Sequence, residues 1–181
     1  MKHTLVAKVA DEPGVLNRVA SLFRRRAFNI DSLTVGGSET ADVSRMTIVV
    51  DTARVPAHIV EANLRKLIPV MEVEDVTHLP TVDRDLALIR VACAPPERAE
   101  LASLVDIFRG RIVDVAQDSV IVEVTGDLEK VNGLVELLRP RGIQEMVRTG
   151  KVAMVRGTSA NGNGKNGSPA SHGGPETRRV S

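Results

Sequence analysis

Apolar and polar residues alternate over residues 4–10, with Leu5, Ala7 and Val9 on one face and Thr4, Val6 and Lys8 on the other. That period of two predicts a strand. Asp11-Glu12-Pro13-Gly14 breaks it, and Pro13 suits the first turn of a helix, where its missing N–H leaves no bond unmade. Val15, Leu16, Val19, Ala20, Leu22 and Phe23 then recur at helical spacing as one apolar stripe. Arg24, Arg25 and Arg26 fall in the last turn, where cations complement the helix dipole. Residues 30–35 read as a second strand and Gly36-Gly37 as a turn, and Met46, Ile48 and Val50 alternate along a third strand. Pro56 opens a second helix with a stripe of Ile59, Val60, Leu64, Leu67 and Ile68. Pro69 ends it, because the residue before a proline avoids the helical region. Residues 70–78 complete the set as a fourth strand.

The same order returns in the second half. Ala87, Ile89, Val91 and Cys93 alternate, and Pro95-Pro96 leads into a helix carrying Leu101, Leu104, Val105 and Phe108. Residues 112–116 and 120–124 are strands around the turn Gln117-Asp118-Ser119. Asp127 is placed to N-cap a helix bearing Val131, Leu134, Val135 and Leu138. Pro140 and Gly142 stop that helix, and residues 143–147 form a last strand.

A helix after the first and third strand of each half describes a split βαβ, the ferredoxin-like βαββαβ arrangement, here twice in tandem as an α+β fold. Each sheet then has helices on one face only. Val6 beside Leu5, and Val49 between Ile48 and Val50, put apolar residues on both sides of a strand. Such strands are not left facing water, so the bare face calls for cover by another domain or subunit, and a dimer is expected. Leu79-Pro80-Thr81-Val82-Asp83 reads as a linker, which sets domains at residues 1–79 and 84–156. From residue 157 the Asn/Gly-rich run holds nothing to bury and is expected to be a disordered tail through residue 181.

The 181 residues carry 24 Lys plus Arg against 23 Asp plus Glu, a net charge of +1. That balance speaks against nucleic-acid or membrane-surface binding by bulk charge. With three Phe and no Trp or Tyr, the chain offers almost nothing for base stacking. No run approaches the roughly 18 consecutive apolar residues of a membrane span. The lone Cys93 fits a reducing compartment, and the chain reads as cytoplasmic.

The search for catalytic chemistry returns little. His3, His58, His78 and His172 include no pair at helical i, i+4 spacing, and Cys93 has no second thiol for a zinc site. Neither a nucleophile elbow nor a phosphate-binding loop is present. Cys93 lies in an apolar strand pattern and reads as a core thiol. His58 reads as a surface histidine and the three-arginine run as a solvated helix end. The one constellation with ligand chemistry is the loop Asp11-Glu12-Pro13-Gly14 with Asn29. A helix start presents unpaired N–H groups that suit a carboxylate, and Gly14 lets a ligand approach the backbone. The Asn29 amide both donates and accepts, as an α-amino acid requires. Gly14 as a simple helix-start residue and Asn29 as a turn residue explain the pattern equally well.

Asp11-x-Pro13-Gly14-Val15-Leu16 on this strand order resembles the ACT domain, an amino-acid-binding module. Three further stretches resemble the small, regulatory subunit of acetolactate synthase over about residues 2–156. They are Phe28-Asn29-Ile30-Asp31-Ser32-Leu33-Thr34-Val35, Ser44-Arg45-Met46-Thr47-Ile48, and Phe108-Arg109-Gly110-Arg111-Ile112-Val113-Asp114-Val115. The resemblance implies an N-terminal ACT domain, a C-terminal ACT-like domain, and a chain with no catalytic site and no cofactor of its own. Thiamine diphosphate, magnesium and FAD would belong to a large catalytic subunit that condenses 2-oxo acids for branched-chain amino acid synthesis. The small subunit would stimulate that partner and confer feedback inhibition by valine or another branched-chain amino acid. The effector would bind between ACT domains of a homodimer, at Asp11, Gly14, Asn29 and Ile30, and the C-terminal domain would contact the partner through residues 108–115. A carboxylate at Asp11 would attract the effector's ammonium and repel its carboxylate. An amino-acid sensor serving another pathway is the alternative the same pattern allows.

Overall fold

A computed structural model of the chain describes residues 1–53 and 55–157. The tail beyond residue 157 lies outside the described residues.

The first domain runs β1 (Lys2–Ala10), α1 (Val15–Arg26), β2 (Asn29–Gly37), β3 (Val43–Asp51), α2 (Ala57–Leu64) and β4 (Val70–Asp75). Its strands are ordered β2-β3-β1-β4, with every pairing antiparallel. The second domain has β5 (Thr81–Ala92), α3 (Arg98–Ile107), β6 (Arg111–Val115), β7 (Ser119–Gly126), α4 (Leu128–Leu138), β8 (Ile143–Arg148) and β9 (Val152–Val155). Its order, β6-β7-β5-β8, repeats that of the first sheet, with β9 added along β5. The fold is the expected pair of ferredoxin-like βαββαβ units.

Both cores lie between a sheet and its two helices. Leu5, Ala7 and Val9 of β1 meet Met46, Ile48 and Val50 of β3 under Val19, Phe23, Val60 and Leu64 of the helices. Ala87, Ile89 and Val91 repeat this with Val120, Val122 and Val124 under Leu101, Val105, Leu134 and Leu138. Cys93 is buried in that second core, as its strand pattern indicated.

Four local expectations need correction. Gly36 and Gly37 belong to β2, and the turn follows at residues 38–42, where Ser38 Oγ donates to the Thr40 carbonyl at 3.1 Å. α2 stops at Leu64 and tightens into turns, so Ile68 of the expected stripe is 93% exposed. Phe108 caps the end of α3 rather than lying within it. Thr81, Val82 and Asp83 are not linker but the start of β5, paired with Val155, Met154 and Ala153 of β9. That strand partner lies about seventy residues away in sequence, beyond the reach of local periodicity.

β9 also settles what covers the first sheet. Val6, on the helix-free face, is buried against Val76, Ala153 and Val155, and Arg45 on the same face donates to the Ala153 carbonyl at 3.1 Å. The cover comes from the same chain, so two-sided burial does not by itself call for a second subunit.

Candidate ligand site

The loop from β1 to α1 is built around a backbone requirement. Gly14 is the N-cap residue of α1 with φ 89°, in the left-handed region that glycine adopts without strain. No side chain caps the helix and its first turn holds no acidic residue, so the positive end of α1 is uncovered. Space beside Gly14 is open, since a Cβ built there meets nothing within 4 Å. Glycine is therefore needed first for conformation. The Asp11 amide donates to the Asp42 carbonyl at 2.8 Å, which ties this loop to the β2–β3 turn.

The second domain ties its two loops in the same way. The Cys93 amide donates to the Asp118 carbonyl at 2.8 Å, the counterpart of the Asp11–Asp42 bond. There, however, the Glu97 carboxylate turns back and accepts the Ala94 amide at 3.0 Å. That carboxylate serves a loop amide ahead of α3, whose own N-terminus no side chain caps. An acidic residue three places after Ala94 is the sequence signal for this bond.

Asn29 and Ile30 lie elsewhere. Asn29 opens β2 opposite Asp51 of β3, and Lys2 of β1 is opposite the same Asp51. Asn29 is therefore level with the start of β1, whereas Asp11 and Gly14 follow its end. Nine strand residues separate the two ends, roughly 25 Å at strand spacing. One chain does not bring Asp11 and Gly14 together with Asn29 and Ile30. Asn29 instead lines a hollow of about 450 Å³ whose wall combines Phe28, Val50, Val55 and Val60 with the carboxylate residue Asp51. Ile30 is half-buried and packs against the first core.

The two ends are linked by β2, an edge strand whose outer side has no neighbouring strand among the described residues. A second β2 laid antiparallel against it about a two-fold axis would place Asn29 of each copy beside the Asp11–Gly14 loop of the other.

Among the described residues, no group of three or more His, Cys, Asp or Glu side chains is placed to hold a metal ion, and no helix is long and apolar enough to cross a membrane.

Comparison with known proteins covers both domains. Residues 5–72 match the family model described as the AHAS small subunit-like ACT domain, and residues 84–157 match that of the small subunit of acetolactate synthase. A probable acetolactate synthase small subunit of Archaeoglobus fulgidus is 54% identical over 157 residues, 87% of this chain and 98% of that one. The acetolactate synthase small subunit of Bacillus subtilis is 45% identical over 159 residues, 87% of this chain and 92% of its own. The crystal structure of the small subunit from Thermotoga maritima superposes with a TM-score of 0.81 at 40% identity, covering 88% of this chain and 99% of that chain.

Proposed function

Because the chain belongs to the acetolactate synthase small-subunit family, we propose that it stimulates a separate catalytic subunit and imposes feedback by valine or another branched-chain amino acid. The observation that carries this reading is the uncovered N-terminus of α1 beside Gly14, where the space next to the backbone is open. The helix end and its amides receive the effector's carboxylate. Asp11 holds the ammonium, and Asn29 of a second copy adds polar contacts to the same zwitterion. Phe28, Val50, Val55 and Val60 in the hollow beside Asn29 offer contacts to a branched aliphatic side chain. The homodimer pairs β2 with β2.

The catalytic partner carries thiamine diphosphate, magnesium and FAD; this chain contributes no group to the condensation of 2-oxo acids. Its contribution is linkage. A ligand alters the partner only by binding two states of the assembly unequally, and a site that two subunits share does so when the subunits shift. Contact with the partner falls on residues 108–115 of the second domain. Exposure there supports it: Val113 is 49% and Val115 56% exposed, beside Ile107 at 76%.

Reconstitution tests the proposal. The purified chain alone should form no acetolactate. Added to its catalytic subunit with thiamine diphosphate and magnesium, it should raise the rate, and valine should lower it. An unchanged rate on mixing the cognate subunits would sink the proposal.

A further inference from the structure

The two domains are joined by a shared ribbon. β8 and β9 run along the same side of β5, with Arg148 opposite Ala87 and Val152 opposite Arg84. Between those pairs, residues 149–151 face only Asp85 and Leu86, so the ribbon carries a bulge. The Thr149 amide donates to the Leu86 carbonyl at 3.1 Å, and the Leu86 amide to Thr149 Oγ1 at 3.2 Å. Gly150 stands at the tip with φ 84°.

That tip rests on β2 of the first domain. A Cβ on Gly150 would come within 3.2 Å of both Ser32 Cβ and Thr34 Oγ1, and Thr34 Oγ1 donates to the Thr149 carbonyl at 3.1 Å. One residue back, Arg148 pairs with the buried Asp85 and donates to Asn132 Oδ1 on α4 at 2.8 Å. β2, the bulge and α4 thus form an unbroken series of contacts.

We propose that the 149–151 bulge couples the β2 edge to the second domain, so that a ligand bound at that edge alters what the second domain offers a partner. The inference rests on the effector reading, which places Asn29 and Ile30 of β2 at the ligand. Ser32 and Thr34 lie on the same strand, so a shift or twist of β2 carries them along. Gly150 meets them with no side chain between, which leaves little slack. The bulge follows, and with it Arg148 and its hold on α4. A coupling claim needs an element whose arrangement both sites bias, and the bulge touches β2 in one domain and β5 in the other.

Hydrogen exchange on the full-length chain, with and without valine, tests this. Valine should change exchange in residues 81–86 and 149–155 of the ribbon as well as in β2. Gly150→Ala puts a side chain at positive φ against Ser32 and unseats the bulge. It should bind valine within about threefold of the wild-type affinity, a shift too small to count as a lost contact. It should still stimulate the catalytic subunit but lose most of the inhibition at saturating valine. Ser32→Ala with Thr34→Val reaches the same contact from β2 and should behave alike if Gly150→Ala does not fold. Unchanged exchange in the ribbon, or full inhibition in variants that still bind valine, would overturn the coupling. Failure of the wild-type chain to bind valine in a calorimeter would instead remove the effector reading, and this coupling with it.

Discussion

Asp11 and Asn29 stand at opposite ends of one four-stranded sheet, the first tied to the β2–β3 turn through Asp42 and the second opposite Asp51. If they serve one ligand, they do so from different subunits. Gly14→Val and Asn29→Ala should each abolish valine inhibition while stimulation persists. For Asn29→Ala the lost polar contacts to a charged ligand are worth about 1.5–3 kcal/mol, roughly 10- to 100-fold in affinity. The two variants mixed and refolded together are more telling. A mixed dimer has one site broken on both sides and one built wholly from wild-type residues, and random pairing makes half of the dimers mixed, so valine binding should return at about a quarter of the wild-type stoichiometry. Calorimetry on the mixture decides; no recovery would show that Gly14 and Asn29 do not share a ligand across two subunits.

Asp85 is buried, and Arg148 is its ionic partner, with Nε at 2.9 Å from Oδ2. Arg148→Met would leave the carboxylate buried with only a long contact from Thr149 Oγ1 at 3.4 Å. Breaking a buried pair from one side costs about 3–5 kcal/mol, and the partly exposed guanidinium places this case at the low end. At roughly 2–4 °C per kcal/mol for a chain of this size, the melting temperature should fall by about 6–12 °C. A loss under about 2 °C would show that water or a neighbour replaces the arginine.

Asp75 bears on acid stability. Burial pushes its pKa up, but hydrogen bonds from the Thr77 side chain and amide and from His3, together with the His3 charge, bring it below the ordinary aspartate value. A carboxyl held low in the folded state adds stability above its unfolded pKa and loses it as pH falls through the folded value. The wild-type chain should therefore lose stability in acid more steeply than Asp75→Asn. Urea unfolding measured from neutrality down through the carboxylate range should give converging curves; parallel curves would show that Asp75 makes no contribution.

Asp127 caps α4, its carboxylate accepting the Lys130 amide at 2.8 Å. Asp127→Ala should cost about 1 kcal/mol, or roughly 2–4 °C in melting temperature. Asp127→Ser should recover most of it, because a hydroxyl oxygen serves the same amide. Equal losses in both variants would mean that Asp127 acts through its charge in the cleft between the domains, which it also lines.

Local pattern was enough for the two βαββαβ sets, though not for β9. The period-two runs at Leu5, Ala7 and Val9 and at Ala87, Ile89 and Val91 each give a strand with its core face known. The Asp127 cap was likewise legible, because a cap is a contact over three residues. Asp11, Gly14, Asn29 and Ile30 could be picked out by residue type and by resemblance, yet their distance apart could not, since strand direction emerges only when β1 and β2 both pair with β3. β9 escaped notice for a related reason. Its four residues carry too little alternation to stand out, and its partners, Thr81 to Arg84, looked like a linker until the pairing closed. Gly150 is the sharpest case: nothing in Thr149-Gly150-Lys151 points to Ser32 and Thr34. The two sheets, their helices and the residues available to a ligand are legible along the chain, because side-chain periodicity is a property of sequence neighbours. Which face covers which, and which end of the sheet each site residue occupies, follow from pairing register and domain contact, which join residues that no local period connects.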